Sequence, residues 1–235
     1  MTTTVITRAG KGSRLTNTEV DTNFTDLTTD AAREVSTFAS LPSATGRGGQ
    51  LRRVSNIGPS GYGSLWCCTG ARWSPLNGRC NLAMATPQSG IGTSETLVLQ
   101  ALIPAGVLKA NDLLRLFYSV TKSGTTDTCT HRVRVGTAGT TADTQIWTGT
   151  ILTAAQQSGA FISEIAVVSA TSLQRTGQGA LTVGSYSIAN ATATPAAVAI
   201  SSADSNPLYV SLFLLSSGAT NTVGLNAGQI ELITP

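Results

Sequence analysis

The sequence predicts a mainly β protein in which an N-terminal helix is followed by a small β unit and a larger, jelly-roll-like β-sandwich. Strand-length apolar segments follow one another from residue 95 to residue 235, with no helix-length amphipathic segment between them. Only 11% of the 235 residues are charged, against about 25% in an average globular protein. A single apolar stripe with helical spacing lies before residue 42 and accounts for the one predicted helix.

The composition excludes several classes of protein. With 15 Lys and Arg against 12 Asp and Glu, the net charge of +3 is too small for a polycation or an acidic disordered tail. The longest apolar segments fall far short of the roughly 18 residues that a membrane span needs. The first residues contain no apolar core of a signal peptide, so we expect no secretory signal. The arginines of residues 35–94 lack the interleaved aromatic motif of a nucleic-acid-binding protein, so nucleic acid is not an expected partner.

The N-terminal region is predicted to be an extended arm, residues 1–14, followed by a helix, residues 15–42. The arm is rich in Thr and interrupted by Gly, which is typical of a segment that becomes ordered against a partner. Thr16 and Glu19 have the spacing of a capping box, and Pro42 ends the helical pattern. The apolar stripe of this helix consists of Val20, Phe24, Leu27, Ala31, Val35 and Phe38. The apolar side chains of such a stripe must be buried, either against the C-terminal domain of the same chain or against other copies of the helix in a coiled coil.

The middle of the chain is predicted to be a small β-hairpin unit, residues 43–83, followed by a linker, residues 84–94. Short apolar fragments in the first of these segments are separated by Gly-containing turns. Trp66 and Trp73 are large enough to form most of the core of this unit. The linker, with its Pro, Ser and Gly residues, lacks a periodic apolar pattern.

The C-terminal segment, residues 95–235, carries eight or nine short strand patterns. Residues 114–120 and 208–214 alternate apolar with polar side chains, which is the period of a half-buried strand. Turn residues such as the Pro-Ala-Gly of 104–106 separate these patterns. The number and spacing of strands favour a sandwich, with a jelly roll as its expected form.

No motif in the sequence points to catalysis, a metal or a cofactor, so we expect a protein that is not an enzyme and has no cofactor. Nucleophile elbow, phosphate-binding loop and metalloprotease patterns are absent from the sequence. The single histidine, His131, shares a predicted strand face with Val133 and Val135, which favours a packed imidazole over a catalytic one. The glycine-containing segment 136–143 lacks Lys and is predicted to be a loop.

The four cysteines lack the spacing of a zinc site or a disulfide framework. Since no export signal is expected, we predict reduced thiols in a reducing compartment. A bridge from Cys67 or Cys68 to Cys80 stays open as an alternative.

Three segments resemble parts of tailed-bacteriophage fibre and appendage proteins. Residues 7–27, TRAGKGSRLTNTEVDTNFTDL, resemble their N-terminal segment, in which a Lys-Gly-x-x-Leu-Thr stretch leads into a Glu-Val-Asp-x-Asn-Phe helix. Residues 63–83 resemble a small Trp-containing β unit that precedes the tip domain in such proteins, with Cys67, Cys68 and Thr69 departing from its Asp-Gly-x-x-Trp turn. Residues 95–116 and the following THRVRVGTAGTTAD are similar to a C-terminal β-sandwich domain common in phage genomes.

The resemblance implies a homotrimeric virion fibre, assembled in the host cytoplasm, whose N-terminus binds the particle and whose C-terminal domain faces outward. The apolar stripe of the predicted helix would then be the trimer seam. The partners implied are further copies of the chain and capsid, portal, collar or baseplate proteins. The residues implied for docking on the particle are Val5, Ile6, Arg8, Lys11 and Arg14.

The length of the chain favours one kind of fibre over others. A helix over residues 15–42 would span about 40 Å, which suits a compact appendage on the head, collar or baseplate better than a long tail fibre. The alternative function is a receptor-binding tail fibre that recognises a host surface glycan or protein through Trp147, Tyr186 or Tyr209. A glycan-degrading spike is the least favoured hypothesis, because the acidic residues that follow residue 34 are few and isolated in sequence.

Overall fold

The computed structural model describes residues 16, 18, 20, 34–35, 40–57, 62–70, 72–76, 78–182, 185–189 and 196–235. These residues form sixteen strands in three sheets. The strands are β1 (Glu34–Val35), β2 (Leu51–Ile57), β3 (Tyr62–Cys68), β4 (Trp73–Pro75), β5 (Arg79–Met84), β6 (Gln88–Ile91), β7 (Thr96–Ile103), β8 (Leu113–Lys122), β9 (Cys129–Gly136), β10 (Thr144–Leu152), β11 (Ser158–Ser169), β12 (Ser172–Thr182), β13 (Ser185–Ala189), β14 (Val198–Ala199), β15 (Leu208–Ser216) and β16 (Val223–Ile233).

Two of the sheets form a β-sandwich, so the predicted mainly β sandwich is confirmed. The smaller sheet has the order β10-β9-β15-β7. The larger has the order β13-β12-β11-β8-β16-β5, with β14 paired to β12 and β6 paired to β16. All pairings in both sheets are antiparallel. Hairpins join β9 to β10 and β11 to β12 within a sheet, whereas the chain crosses between the two sheets of the sandwich on leaving β6, β7, β8, β10, β14 and β15.

Alternation of buried and half-buried positions explains why these segments form strands. In β8 every second residue is buried, and the side chains of Leu114, Leu116 and Val120 are 0% exposed. Buried residues of β9 and β15, such as Val133 and Leu212, belong to the same apolar core. Full burial of one such side chain contributes about 1.5–3 kcal/mol, so this interior accounts for most of the sandwich's stability.

The third sheet is small and has the order β1-β2-β3-β4. Its core contains Val54, Trp66 and Trp73, all less than 5% exposed, as the size of the two tryptophans predicts. The next strands along the chain, β5 and β6, pair with β16 of the sandwich rather than with this sheet. Strand pairing in the sandwich therefore begins at Arg79, within the segments assigned from sequence to the small unit and the linker.

The prediction of an N-terminal helix that forms a trimeric coiled coil over residues 15–42 is wrong. Glu34–Val35 form β1, which pairs in parallel with Arg53 and Val54 of β2, and extended backbone cannot continue a helical stripe. Val35 packs against the core of its own chain, so at this position tertiary contacts cover the stripe. Thr18 and Val20 are helical, and the amide of Val20 donates to the carbonyl of Thr16 at 3.0 Å, but the described part of the chain contains no helix among its elements. The remaining predicted seam residues lie outside the described residues; these are Phe24, Leu27, Ala31 and Phe38.

None of the residues that the structure describes belongs to a helix long and apolar enough to cross a membrane.

A buried lysine joins the loops at one end of the sandwich. Lys122, 4% exposed, ends β8, and its Nζ donates to the carbonyls of Thr153 and Ala154 at 2.9 and 2.8 Å and to that of Asp127. The carboxylate of Asp127 accepts the amide of Asn221 at 2.7 Å. The β8–β9, β10–β11 and β15–β16 connections are therefore held together through one ammonium group and its neighbour.

Replacing Lys122 by Met should lower the free energy of unfolding by about 3 kcal/mol, because it leaves buried carbonyl groups without a donor. Lys109→Met is the matched control, since Lys109 pairs with Asp204 at the surface and should cost under about 1 kcal/mol. Urea unfolding of both variants measures the difference. Equal losses would show that the three carbonyls do not depend on the buried ammonium group.

Candidate functional site

The small sheet and the sandwich meet at a cleft of about 410 Å³. This junction is the part of the structure that links the N-terminal region to the sandwich. Its walls come from the segment before β2, from the start of β4 and from the β7–β8 and β14–β15 connections. The residues that define the two sides are Pro42, Arg72, Trp73, Pro104, Val107 and Asp204.

A buried ion pair crosses the junction. Arg72 Nη1 donates to Asp112 Oδ1 and Oδ2 at 3.0 and 2.8 Å, and the side chain of Asp112 is 0% exposed. The backbone amide of Lys109 also donates to Asp112 Oδ2 at 2.8 Å. Burial raises the pKa of the Asp112 carboxyl, although the bonds from Lys109 and Arg72 act in the opposite direction. The carboxylate therefore depends on these donors to offset its desolvation.

The β7–β8 loop sets the position of Asp112. Asn111 has a φ of 74°, in the left-handed region that Asn tolerates better than most residues. Its amide donates to the carbonyl of Val167 at 2.8 Å, and the amide of Val167 donates to the carbonyl of Asp112 at 2.9 Å. On the opposite side, Trp73 Nε1 donates to the carbonyl of Pro42 at 2.6 Å. These hydrogen bonds therefore connect each wall of the cleft to a strand of a β-sheet.

The charged groups of the junction pair with one another. Arg72 binds Asp112, and Lys109 binds Asp204 at the cleft rim. In the part of the chain that the structure describes, no three His, Cys, Asp or Glu residues lie close enough to hold a metal ion. The arrangement can hold two sheets in a fixed relation, since its charges are already neutralised by their partners.

His131 lies in the centre of the sandwich, between the sheets. Its side chain is 0% exposed, and Nδ1 is hydrogen-bonded to the hydroxyl of Tyr118, which lies 3.4 Å from Ser163 Oγ. Among the described residues, no group accepts or donates a hydrogen bond at His131 Nε2. Burial lowers the pKa of His131 from 6.5 to about 4, and the positive charge of Arg175 acts in the same direction. The imidazole is therefore neutral and packed, as the strand pattern predicts.

Two of the three residues predicted for receptor contact, Trp147 and Tyr209, lie in different surroundings. Trp147 is 3% exposed, its ring packs edge-on against His131 with centroids 5.2 Å apart, and the Arg175 guanidinium lies 4.6 Å from its centroid. Tyr209 is half-buried on the outer side of β15. For Tyr186, in β13, the structure describes the backbone only. Receptor contact stays a prediction, and Trp147 would have to leave the core to take part.

The residues predicted to dock on the particle lie outside the described residues; they are Val5, Ile6, Arg8, Lys11 and Arg14.

All four cysteines are free thiols, so the alternative bridge to Cys80 is not formed in this structure. Cys67 is half-buried, whereas Cys68, Cys80 and Cys129 are buried. Burial raises the pKa of Cys129 to about 12 and also raises that of Cys80, which keeps both thiols protonated and unreactive at neutral pH.

Sequence patterns did not indicate the junction. Arg72 and Asp112 are 40 residues apart, and neither belongs to a motif. The signals that do exist are local: Arg72 precedes a core tryptophan, and Asp112 follows an Asn in a turn. Both are too common to identify a buried ion pair without the fold.

The similarity of this chain to known proteins is low. No family model and no curated protein matches the chain. Two solved structures of infectious bursal disease virus are similar over 66% of this chain, each at 11% sequence identity. The structure of the Gt strain gives a TM-score of 0.31 over 32% of its chain, and that of the T13 viral particle gives 0.27 over 30%. The present chain thus spans about a third of the length of each.

Lowering the pH should destabilise the protein through His131. Because its pKa is about 4 in the folded state and 6.5 ordinarily, the folded protein binds fewer protons than the unfolded chain between these values. The stabilisation is complete above about pH 6.5 and is lost as the pH falls toward 4, with about 2 kcal/mol lost by pH 5. Urea unfolding at several pH values should show this slope in the wild type and a smaller slope in His131→Gln. Equal slopes in the wild type and in His131→Gln would show that other groups cause the loss of stability at low pH.

Removing the arginine of the junction should destabilise the protein more than removing an exposed one. Arg72→Met takes a donor from a buried carboxylate and should cost about 3 kcal/mol. Arg53→Met is the control, because Arg53 and Glu34 form an exposed pair worth under about 1 kcal/mol. Thermal unfolding and limited proteolysis of the segment before β5 check this. Unchanged protection from protease in Arg72→Met would contradict a locking role for the ion pair.

Proposed function

We propose that this chain is a structural protein of a bacteriophage particle, a compact appendage attached through its N-terminal region and displaying the sandwich. The observation that carries the proposal is the junction. The small sheet, which follows the N-terminal region, is fixed to the sandwich by the buried pair of Arg72 and Asp112. A partner that holds the small sheet therefore also holds the sandwich in one orientation.

An apolar core shared by the small sheet and the sandwich supports the same proposal. Val54, Trp66 and Trp73 of the small sheet belong to one apolar cluster with the buried residues of the sandwich. Two units with a common core move as one body, because separation would expose that apolar surface to water. A rigid connection suits an appendage better than a flexible tether does.

The N-terminal residues support the location. Residues 7–27 resemble the N-terminal segment of phage fibre and appendage proteins, which supports attachment to the particle at this end of the chain. We infer a position on the head, collar or baseplate, with virion proteins as partners. Three copies joined by a coiled coil are not part of the proposal, because β1 replaces the end of the predicted helix.

The polar groups buried inside the sandwich support a structural role for this domain. His131, Tyr118 and Ser163 form a hydrogen-bonded group that is sealed between the sheets at 0% exposure. Such a group orients the two sheets relative to each other and has no contact with solvent. Recognition of a host receptor stays an alternative, and Tyr209 is its one described candidate residue with partial exposure.

Deleting residues 2–14 should prevent the protein from joining phage particles while leaving the sandwich folded. The physical reason is that the deletion removes the predicted docking residues but no described strand. Particles assembled in a host that supplies the truncated protein are purified and probed for it. Lys109→Met serves as a control that should incorporate normally, and normal incorporation of the truncated chain would overturn the proposed attachment.

A further inference from the structure

We infer that the outer face of the larger sandwich sheet binds a second copy of this chain about a two-fold axis that runs parallel to the strands. The surface lies on β11, β8, β16 and β5, on the side turned away from the smaller sheet. The inference does not depend on the proposed role in a phage particle.

Three charged residues and one asparagine form a row in register across this face, here called the charged row. Arg115 is paired in register with Glu164 on one side and Glu231 on the other. Its guanidinium lies 2.7 Å from the Glu164 carboxylate and 3.8 Å from that of Glu231. Asn81 is the register partner of Glu231 on β5 and completes the row. Arg79 lies one row away, opposite Ile233, and its guanidinium is 3.9 Å from the Glu231 carboxylate. The signs along the row are therefore negative, positive, negative and neutral.

Half-buried side chains that are mostly apolar flank the charged row on both sides. One neighbouring row, joined by cross-strand pairing, consists of Ile162, Phe117, Gln229 and Met84. The other consists of Ala166, Leu113 and Ile233, with the exposed Arg79 at its end. Covering this surface is favourable through its apolar side chains, whereas removing water from the charged row is costly unless opposite charges of the partner face it.

The alternation decides which partner fits. A two-fold axis between β8 and β16, parallel to the strands, reverses the order of strands in the second copy. Arg115 then faces Glu231 of the copy, Glu231 faces Arg115 of the copy, and Glu164 faces the neutral Asn81, so opposite charges meet at the centre and no like charges meet. The same operation lays Leu113 against Ile233 and Ile162 against Met84. An axis across the strands would place every charge opposite itself, which is repulsive.

A second copy is therefore the occupant that the pattern specifies. A surface that is complementary to itself under a two-fold rotation is the defining property of an isologous interface. Aligned packing of two sheets, face to face, is a common arrangement in β proteins. The outer face of the smaller sheet offers no such row, because the 137–143 loop crosses it and Gln100 Nε2 donates to the carbonyl of Gly139 at 2.8 Å.

Light scattering of the full chain at high concentration tests the inference, with an expected mass of two chains. Arg115→Glu should halve this mass, because it turns two attractive contacts across the axis into repulsion. Arg115→Gln should weaken association without repulsion. Arg132→Glu is the matched control: Arg132 lies in a cross-strand cluster with Glu95 on the smaller sheet, and its variant should keep the mass of the wild type. Circular dichroism confirms that each variant is folded.

Cysteine pairing tests the orientation of the axis. A mixture of Ile162→Cys and Met84→Cys should form a disulfide-linked dimer that neither variant forms alone, with wild-type protein as the control for the native thiols. Crosslinking of Ile162→Cys with itself would place the axis across the strands and overturn the inference. A monomeric or trimeric wild type would also overturn it. Neither result bears on particle attachment, which the deletion of residues 2–14 tests separately.

Discussion

The buried ion pair between Arg72 and Asp112 is the interaction on which the relation between the small sheet and the sandwich depends. It joins a strand-adjacent arginine of one unit to the β7–β8 loop of the other, with a carboxylate that has no access to water. A buried charge is costly unless its partners are placed accurately, so the pair specifies one orientation of the units more than it adds net stability. The cleft, the shared core and the path from the N-terminal region to the sandwich all follow from that orientation.

Polar groups fix position inside the sandwich in the same way. Lys122 and Asp127 together join three connections at one end, and the His131 and Tyr118 pair links the two sheets at the centre. Each is a hydrogen-bonding requirement that an apolar core could not impose, because apolar contacts have no direction. The charged row on the outer face gives the same kind of selectivity to the association of two copies. Complementary charges select one arrangement of the copies among the many that apolar side chains would permit.

Much of the sandwich could be predicted from residues 95–235, because apolar alternation in segments such as β8 has the period of a strand and no competing helical pattern. The same reasoning gave His131 a packed role, since it shares a strand face with Val133. It failed at Val35. The three-and-four spacing of the stripe there fits a helix, but the open edge of β2 offers backbone hydrogen bonds and a core contact that local preference does not include.

The sequence by itself determined that residues 95–235 form a strand-rich sandwich, which tryptophans fill the small core and which side of strands such as β8 turns inward, because these follow from the local order of apolar and polar side chains. Only the tertiary structure decided that Glu34–Val35 form a strand, that β5 and β6 join the sandwich, that Arg72 meets Asp112, and that Glu164, Arg115 and Glu231 align in one row. These are pairings between distant segments. Strand partners and register depend on the sum of many weak contacts across the whole sheet, and no single local pattern carries that sum.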